Sequence, residues 1–214
     1  MKADVVTIEA IGNLLTYYRF DLKYIRSFQI CKRYQGDYLT NFRDTMLSRF
    51  LADYKVARNL KKGQTERLLK TLIVHVETDR ADNVDYLAKK LRKLGITQAD
   101  KKMVSLASKI LFLNNPWEIL PCDTLVRRAI GYSGNSYSGY LEAVHKSKER
   151  ILKLYDALPS SILSYLQLIE EEVASDIVRL ERIRKNRFID KILWTLGRNK
   201  MDLTYIDRHL LPSR

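Results

Sequence analysis

The stretch that decides the fold runs from Lys93 to Gly131 and reads KLGITQADKKMVSLASKILFLNNPWEILPCDTLVRRAIG. Its apolar residues recur at three- and four-residue spacing, which is typical of helices. Gly95 and Pro116 interrupt the pattern, because glycine favours the conformation that ends a helix and the residue before proline disfavours helical geometry. The stretch therefore predicts a helix that ends at Gly95, a tight turn, a helix from Thr97 or Asp100 to Leu113, and an apolar loop.

Asp123 follows this loop and stands directly before another apolar helical pattern. Aspartate is a favoured N-cap because its carboxylate accepts hydrogen bonds from the free N–H groups at the start of a helix. We therefore predict a helix from Thr124 to Ile130, ended by Gly131. An Asp at this place serves either as a cap alone or also as a reactive carboxylate, and the residues themselves leave both interpretations open.

The same periodicity extends outward through most of the chain and predicts an all-α fold of about eight to nine helices. The further predicted helices run from Thr65 to about Asp79, from an N-cap at Asp82 to Gly95, from Tyr140 to Leu154, from Ser160 to about Lys185, and from Phe188 to Leu196 with Gly197 ending it. The segment from Tyr132 to Gly139 is predicted to be a loop. We expect residues 1–214 to form a single helical domain, with room for two lobes around a cleft.

The charge balance favours a polyanionic partner. The chain has 214 residues with 38 Lys+Arg against 25 Asp+Glu, a formal net charge of +13. The positive residues cluster at Lys55, Arg58, Lys61, Lys62, Arg67 and Lys70, at Lys89, Lys90, Arg92, Lys93, Lys101 and Lys102, and at Arg179, Arg182, Arg184, Lys185, Arg187 and Lys191. Because lysine and arginine on phosphates release condensed counterions, DNA is the leading partner, and RNA is an alternative. Solvation of helix faces is the other interpretation of such charge.

The sequence lacks the usual signatures of several function classes. Cys31 and Cys122 are too few for a four-thiolate cluster, and the three histidines are not spaced as metal ligands. The glycine-rich phosphate loops and the GxSxG nucleophile motif do not occur. The sequence has no run of roughly 18 apolar residues and no signal segment. We therefore expect a cytoplasmic protein without a cofactor, without a metal and without membrane attachment.

The motif Pro121-Cys122-Asp123-Thr124-Leu125-Val126-Arg127-Arg128, together with the helical hairpin before it, resembles the helix-hairpin-helix DNA glycosylase superfamily. This superfamily includes endonuclease III and the 8-oxoguanine glycosylases, and its catalytic Asp stands in a pattern like P-V-D-T-H-V-x-R. The similarity covers about 40 of the 214 residues. The chain resembles a relative without an iron-sulfur cluster, and the family's glycine-rich hairpin turn, near GVGxKTA, is not reproduced.

The resemblance implies a DNA repair enzyme that removes a damaged or modified base from DNA, with Asp123 as the catalytic carboxylate. Breaking an N-glycosidic bond builds positive charge at the sugar, and a carboxylate beside it stabilises that charge and activates water. Lys109 and Lys102 are seven residues apart and project from similar faces of one helix. Either is a candidate Schiff-base nucleophile, which would add strand cleavage, whereas both are otherwise ordinary solvated or phosphate-facing lysines.

Further residues are expected to contact the nucleic acid. The candidate DNA-binding residues are Lys93, Lys101, Ser105, Arg127 and Arg128. A base that is flipped out of a duplex is held between flat or apolar side chains. The candidates for this base pocket are Trp117, Tyr132, Tyr137 and Tyr140. Ordinary packing of these aromatics, and an ion pair of Arg127 with Asp123, are the structural alternatives.

Two other functions remain open. The second hypothesis is a non-catalytic helical protein that binds nucleic acid or takes part in defence. The third is a helical adaptor for an acidic protein, for which binding to DNA should be weak. The position of Asp123, either in a basic cleft with aromatic walls or on a flat surface, discriminates between enzyme and binding protein.

Overall fold

The computed structural model of the protein describes residues 4–98 and 102–210. Helix accounts for 72% of the described residues, which form no β-strand beyond an isolated bridge between Leu60 and Thr97. The predicted all-α fold is therefore confirmed, while the glycosylase-like arrangement stays a prediction. Within the same ranges, no helix has both the length and the apolar character that a membrane crossing requires.

Ten α-helices lie within the described residues. In chain order they are α1 (Val5–Tyr34), α2 (Asp37–Asn41), α3 (Ser48–Asp53), α4 (Thr65–Val76), α5 (Val84–Lys93), α6 (Val104–Phe112), α7 (Thr124–Ala129), α8 (Tyr137–Asp156), α9 (Ser160–Ala174) and α10 (Leu180–Arg198). A π-helical segment, Phe42–Leu47, connects α2 directly to α3. Because this segment joins α2 and α3 into one continuous helical run, the described residues form nine such runs, in agreement with the predicted eight to nine helices.

The chain divides into two compact units. Unit 1 comprises Met1–Leu22 and Cys122–Arg214, and unit 2 comprises Lys23–Pro121. One boundary falls inside α1, and the other falls between Pro121 and Cys122. Asp123 therefore belongs to unit 1, whereas the hairpin that precedes it in the sequence belongs to unit 2.

In unit 2, paired backbone segments hold the turn between α5 and the next helix. The N–H of Lys61 donates to the carbonyl of Ile96 at 3.0 Å. Gly95 has a φ of +65°, the left-handed conformation predicted for the end of this helix. The predicted N-cap at Asp82 is wrong by one residue, because the Asn83 side chain accepts the capping hydrogen bond from the Tyr86 N–H at 2.9 Å. The helix after the turn, α6, begins later than expected, and Asp100 lies outside the described residues.

In unit 1, α7 packs against α10 at an unusually short distance. A Cβ atom at Gly197 would lie 1.9 Å from the carbonyl oxygen of Leu125. The prediction that Gly197 ends a short helix is wrong, because α10 continues to Arg198 and the glycine instead allows the two backbones to approach. Glycine is the residue that such a close approach requires.

Two further helix boundaries differ from the sequence-based expectations. The helix predicted from Ser160 to about Lys185 is two helices, because Arg179 takes a left-handed φ of 61° between α9 and α10. The predicted loop of residues 132–139 is shorter than expected, because the Ser136 side chain caps α8 by accepting from the N–H of Gly139. The apolar pattern reveals neither the left-handed backbone of Arg179 nor the capping side chain of Ser136, and these two features explain the differences.

Buried charges connect α1, α9 and α10 inside unit 1. The Arg187 guanidinium, which is 2% exposed, lies 2.7 Å from Asp21 and 3.1 Å from Asp190. Nearby, Arg184 contacts both carboxylate oxygens of Glu170, at 2.9 and 3.1 Å. Because an unpaired buried charge costs several kcal/mol, each of these arginines requires its acidic partners.

Substitution of Gly197 tests the contact between α7 and α10. We expect Gly197→Ala to lower the free energy of unfolding by about 1–3 kcal/mol, because the new methyl group must displace the Leu125 backbone. Gly12→Ala in α1 is the matched control, since its Cβ meets nothing within 4 Å and should raise that free energy by about 0.5–1 kcal/mol. Urea unfolding followed by circular dichroism measures both. Equal effects of the two substitutions would contradict the close approach.

A buried histidine in unit 2 predicts a loss of stability in acid. His75 in α4 is fully buried, and neither ring nitrogen has a hydrogen-bond partner among the described residues. Burial lowers the pKa of His75, and the charge of Lys90 lowers it further. Below about pH 6.5 the imidazole of His75 therefore binds a proton in the unfolded chain but not in the folded chain. This difference favours unfolding as the pH falls.

We expect the contribution of His75 to the free energy of unfolding to be constant above about pH 7 and to fall below about pH 6.5, by at most about 1.4 kcal/mol per pH unit. His75→Phe should reduce this slope, whereas His145→Phe, at an exposed position, should not. Urea titrations between about pH 5 and pH 8 measure the effect. An unchanged slope in His75→Phe would assign the acid sensitivity to other groups.

Candidate functional site

Asp123 is held in place by the start of α7. Its Oδ1 atom accepts a hydrogen bond from the N–H of Leu125 at 2.9 Å, and its backbone is extended, so the predicted N-cap is confirmed. The residue is half-buried. Because free N–H groups at a helix start favour negative charge, this position suits an ionised carboxylate.

The carboxylate of Asp123 exerts an electrostatic effect on buried ionisable groups of α8 and α10 within unit 1. The charge of Asp123 acts on the ionisable groups of Tyr140, Asp190 and Lys191. The set, named here the Asp123 cluster, consists of Asp21, Asp123, Tyr140, Arg187, Asp190 and Lys191. Burial raises the pKa of Asp190, and its neighbours Arg187 and Lys191 oppose that rise.

Lys191 supplies an amine to this cluster. Its side chain is 13% exposed, and its Nζ atom lies 4.0 Å from the Oδ2 atom of Asp190. The same atom lies 4.8 Å from the centre of the Tyr17 ring, whose residue is exposed. Burial lowers the pKa of Lys191, and Arg187 lowers it further, although three carboxylates oppose the change. The cluster thus combines carboxylates with an amine that holds its proton less tightly than a solvated lysine does.

The two candidate arginines of α7 contact backbone carbonyls of unit 1. The Arg127 guanidinium donates to the carbonyls of Ser133 at 3.1 Å and Gly134 at 2.7 Å. It therefore fastens the loop before α8, instead of forming the alternative ion pair with Asp123. Arg128 donates to the carbonyl of Gly197 at 3.2 Å. Both side chains thus have structural contacts in addition to any role in DNA binding.

Three predicted base-pocket tyrosines also lie in unit 1. The Tyr132 hydroxyl donates to the carbonyl of Ser136 at 2.9 Å, and its ring is half-buried. Tyr137 and Tyr140 are 5% and 1% exposed, respectively. Their ring centres are 5.7 Å apart. These two rings are packed side by side in the interior of unit 1, and Tyr140 connects them to the Asp123 cluster.

The other predicted site residues belong to unit 2. Lys109 is buried and donates to the carbonyl of Tyr54 at 3.0 Å. Lys102 forms an ion pair with Asp85 at 2.7 Å. Ser105 and Trp117 are half-buried, Lys93 is exposed, and Lys101 lies outside the described residues. Within the described ranges, no three His, Cys, Asp or Glu side chains group closely enough to bind a metal ion.

Sequence reasoning missed Asp21, Asp190 and the position of Lys191. The run from Phe188 to Leu196 reads FIDKILWTL, in which Asp190 and Lys191 are the two charged residues. Such a pair inside an otherwise buried helical segment indicates a buried polar site, because charges enter a core with partners. This signal was present in the sequence, whereas the pairing with Asp21 depends on the tertiary fold.

Two exposed lysines of unit 2, Lys61 and Lys93, lie at the Gly95 turn, and Lys62 and Lys89 are their exposed neighbours in the sequence. The Lys61 Nζ atom lies 3.7 Å from the position of a Cβ at Gly95, and Lys93 ends α5 two residues before that glycine. The set, named here the lysine patch, consists of Lys61, Lys62, Lys89 and Lys93, all exposed. Two sequence clusters therefore meet at one turn. No acidic side chain in the described part of the chain forms an ion pair with any of the four.

No protein-family model, curated protein or solved structure matches this chain. Its function is therefore inferred from the two features described above, the Asp123 cluster and the lysine patch.

The lysine patch predicts salt-dependent binding to DNA. A triple substitution of Lys61, Lys89 and Lys93 by Gln should reduce the slope of log K against log salt by about 2 to 3, since each phosphate contact contributes about 0.9. The control replaces Lys146, Lys153 and Lys200, which are also exposed, so the net charge changes equally. Fluorescence anisotropy with duplex DNA between about 50 and 200 mM salt measures both. If the two triple variants have equal slopes, the lysine patch contributes no more to DNA binding than other exposed lysines do.

Proposed function

We propose that this protein is a DNA-binding enzyme that removes a damaged or modified base from DNA, with Asp123 as the catalytic carboxylate. The observation that carries the proposal is the placement of Asp123, whose carboxylate is fixed by its cap hydrogen bond at the start of α7, the helix that packs on α10.

The chemistry matches what a fixed carboxylate supplies. Cleavage breaks the bond between C1′ of the sugar and the base nitrogen, and the electron pair leaves with the base. Positive charge develops at C1′, and a carboxylate held beside it stabilises that charge without reorganisation. A water oxygen then bonds to C1′, and its proton passes to the carboxylate of Asp123.

The distribution of positive charge supports a nucleic-acid substrate. The lysine patch contains four exposed lysines, of which Lys61 and Lys93 lie at the Gly95 turn, and the whole chain has a net charge of +13. Phosphate contacts of this kind position a protein on DNA without reading its sequence. In this proposal the lysine patch contributes phosphate binding, and the carboxylate of Asp123 contributes the chemistry.

A second candidate function is non-catalytic binding of nucleic acid. The observation that favours it is the hydrogen bond of the Asp123 Oδ1 atom to Leu125, which gives the residue a complete structural role as a cap. The lysine patch alone would account for binding in that case. This candidate predicts salt-sensitive affinity for DNA and no release of any base.

Replacement of Asp123 by Asn separates these functions, because asparagine is as good an N-cap as aspartate but carries no charge. We expect Asp123→Asn to reduce base release by at least about 100-fold, the lower range for loss of general acid–base catalysis. The assay incubates the protein with duplexes that contain deaminated, oxidised or alkylated bases and counts strand breaks after alkali.

Two control variants interpret that result. Asp123→Ala removes the cap as well as the charge and should cost about 1 kcal/mol of stability, which Asp123→Asn should largely retain. Glu142→Gln removes an exposed carboxylate of α8 and should leave base release unchanged. If the wild-type protein binds every duplex but releases no base, the enzyme proposal fails and the binding-protein candidate replaces it.

A further inference from the structure

We infer that the C-terminal part of α1, together with the start of α2, binds a single-stranded segment of nucleic acid. Basic side chains of α1 contact its phosphates, and its unpaired bases stack on Tyr34 and Tyr38. This inference rests on the nucleic-acid substrate of the proposed function and assigns a second contact surface to it. The surface lies in unit 2 and shares no residue with the lysine patch or the Asp123 cluster.

The C-terminal part of α1 carries only positive charge. Residues 22–36 include Lys23, Arg26, Lys32 and Arg33 and no acidic residue. Lys23, Arg26 and Arg33 are exposed, whereas Lys32 donates to the side-chain oxygen of Asn114 at 2.9 Å. Because side chains three and seven residues apart project from the same face of a helix, the three exposed cations form one row, named here the basic stripe. The basic stripe extends for about 15 Å along the helix axis.

Two exposed tyrosines continue the basic stripe. Tyr34 is the last residue of α1 and lies on the same face as Lys23, three helical turns before it. Tyr34 is 59% exposed, and Tyr38 of α2 is 52% exposed. Their ring centres are 5.4 Å apart, and the guanidinium of Arg33 lies 6.0 Å from the centre of the Tyr34 ring. Aromatic rings and guanidinium planes are the groups on which unpaired bases stack.

A tight turn holds the two rings next to each other. Gln35 and Gly36 have positive φ values of 46° and 53°, and they redirect the chain between α1 and α2. The N–H of Gln35 donates to the carbonyl of Cys31 at 2.9 Å, and the N–H of Tyr38 donates to the carbonyl of Gln35 at 3.1 Å. The backbone on both sides of the turn is therefore fixed by hydrogen bonds. A surface that is already formed loses less conformational freedom when it binds a ligand.

This combination of groups favours a single strand over a duplex. The basic stripe attracts the phosphates of either form, because its charge complements any polyanion. Bases stack on protein side chains only when they are unpaired, so the tyrosines select the single strand. Asp37 precedes Tyr38, and Glu77 of α4 accepts a hydrogen bond from Gln35 at 3.4 Å. These two carboxylates repel phosphates, which leaves the basic stripe as the path of the nucleic-acid backbone.

The first test measures the binding of the full-length protein to a labelled strand of about 12 thymidines, a length within the usual site size, by fluorescence anisotropy. We expect the double variant Tyr34→Ala, Tyr38→Ala to bind this strand at least about tenfold more weakly, because it loses the stacking surface, and to bind a duplex as the wild type does. The double variant Tyr34→Phe, Tyr38→Phe keeps the rings and should retain the affinity. Tyr165→Ala in α9 is the matched control, since Tyr165 is also 52% exposed, and it should have no effect.

The basic stripe has a separate readout in the same assay. Replacement of Lys23 and Arg33 by Gln should reduce the slope of log K against log salt for the single strand by about 1.4, since each phosphate contact contributes about 0.7. Replacement of Lys146 and Lys153, which are exposed in α8, removes the same charge and should leave the slope unchanged. A strand of about 12 uridines, measured in parallel, distinguishes RNA from DNA as the source of the single strand.

Photocrosslinking maps the contact on the wild-type protein, so its result does not depend on the folding of any variant. A thymidine strand that contains one 5-iododeoxyuridine is irradiated in complex with the protein, and mass spectrometry locates the crosslinked residue. We expect crosslinks at Tyr34 or Tyr38.

Crosslinks at these tyrosines, together with a selective loss of single-strand affinity in the alanine double variant, support the inference. It is overturned if the single strand does not bind, if crosslinks occur only elsewhere, or if the alanine variant weakens single-strand and duplex binding equally. An equal loss in the phenylalanine double variant or in Tyr165→Ala also overturns it. Base release from modified duplexes without single-strand binding would refute this inference alone, whereas single-strand binding at Tyr34 and Tyr38 without base release would refute the proposed glycosylase activity alone.

Discussion

The buried guanidinium of Arg187 is the constraint on which the rest of unit 1 depends. A charge at 2% exposure is tolerated only with close counter-charges, and Asp21 of α1 and Asp190 of α10 supply them. Their positions fix how α1 meets α10. The same arrangement places Lys191 next to a positive guanidinium and a carboxylate, so the electrostatics of the candidate site follow from a structural requirement. The stability of unit 1 and the charge environment of Lys191 therefore depend on the same residues.

Asp123 caps α7, and this structural role does not conflict with the proposed catalytic role of its carboxylate. The hydrogen bond to Leu125 that caps α7 also fixes the carboxylate in one orientation, which electrostatic catalysis requires. The short helix α7, whose Leu125 backbone lies against Gly197, packs on α10, the helix that contains Arg187 and Asp190. The cap is therefore compatible with catalysis, and it supplies the rigidity that a reactive group needs.

Local features were predictable from the sequence, and features set by distant contacts were not. The helix ends at Gly95 and Gly131 follow from glycine itself, and both residues have positive φ values. The break between α9 and α10 was missed because Arg179 adopts a left-handed conformation that its residue type does not suggest. Gly197 was misread because helix ends and close helix contacts use the same residue. The pairing of Arg187 with Asp21 joins residues that are 166 positions apart in the sequence, so it depends on the tertiary fold.

The division of the chain has a consequence for its synthesis. Unit 2 is one uninterrupted segment, Lys23–Pro121, so all of its internal contacts become available as soon as that segment leaves the ribosome. Unit 1 needs α1 and the helices after Cys122, and it must wait for nearly the whole polypeptide. During this interval the apolar face of α1 that belongs to unit 1, including Leu14 and Tyr18, has no partner from the later helices. The nascent chain is therefore exposed to aggregation at its beginning until its last helices have been made.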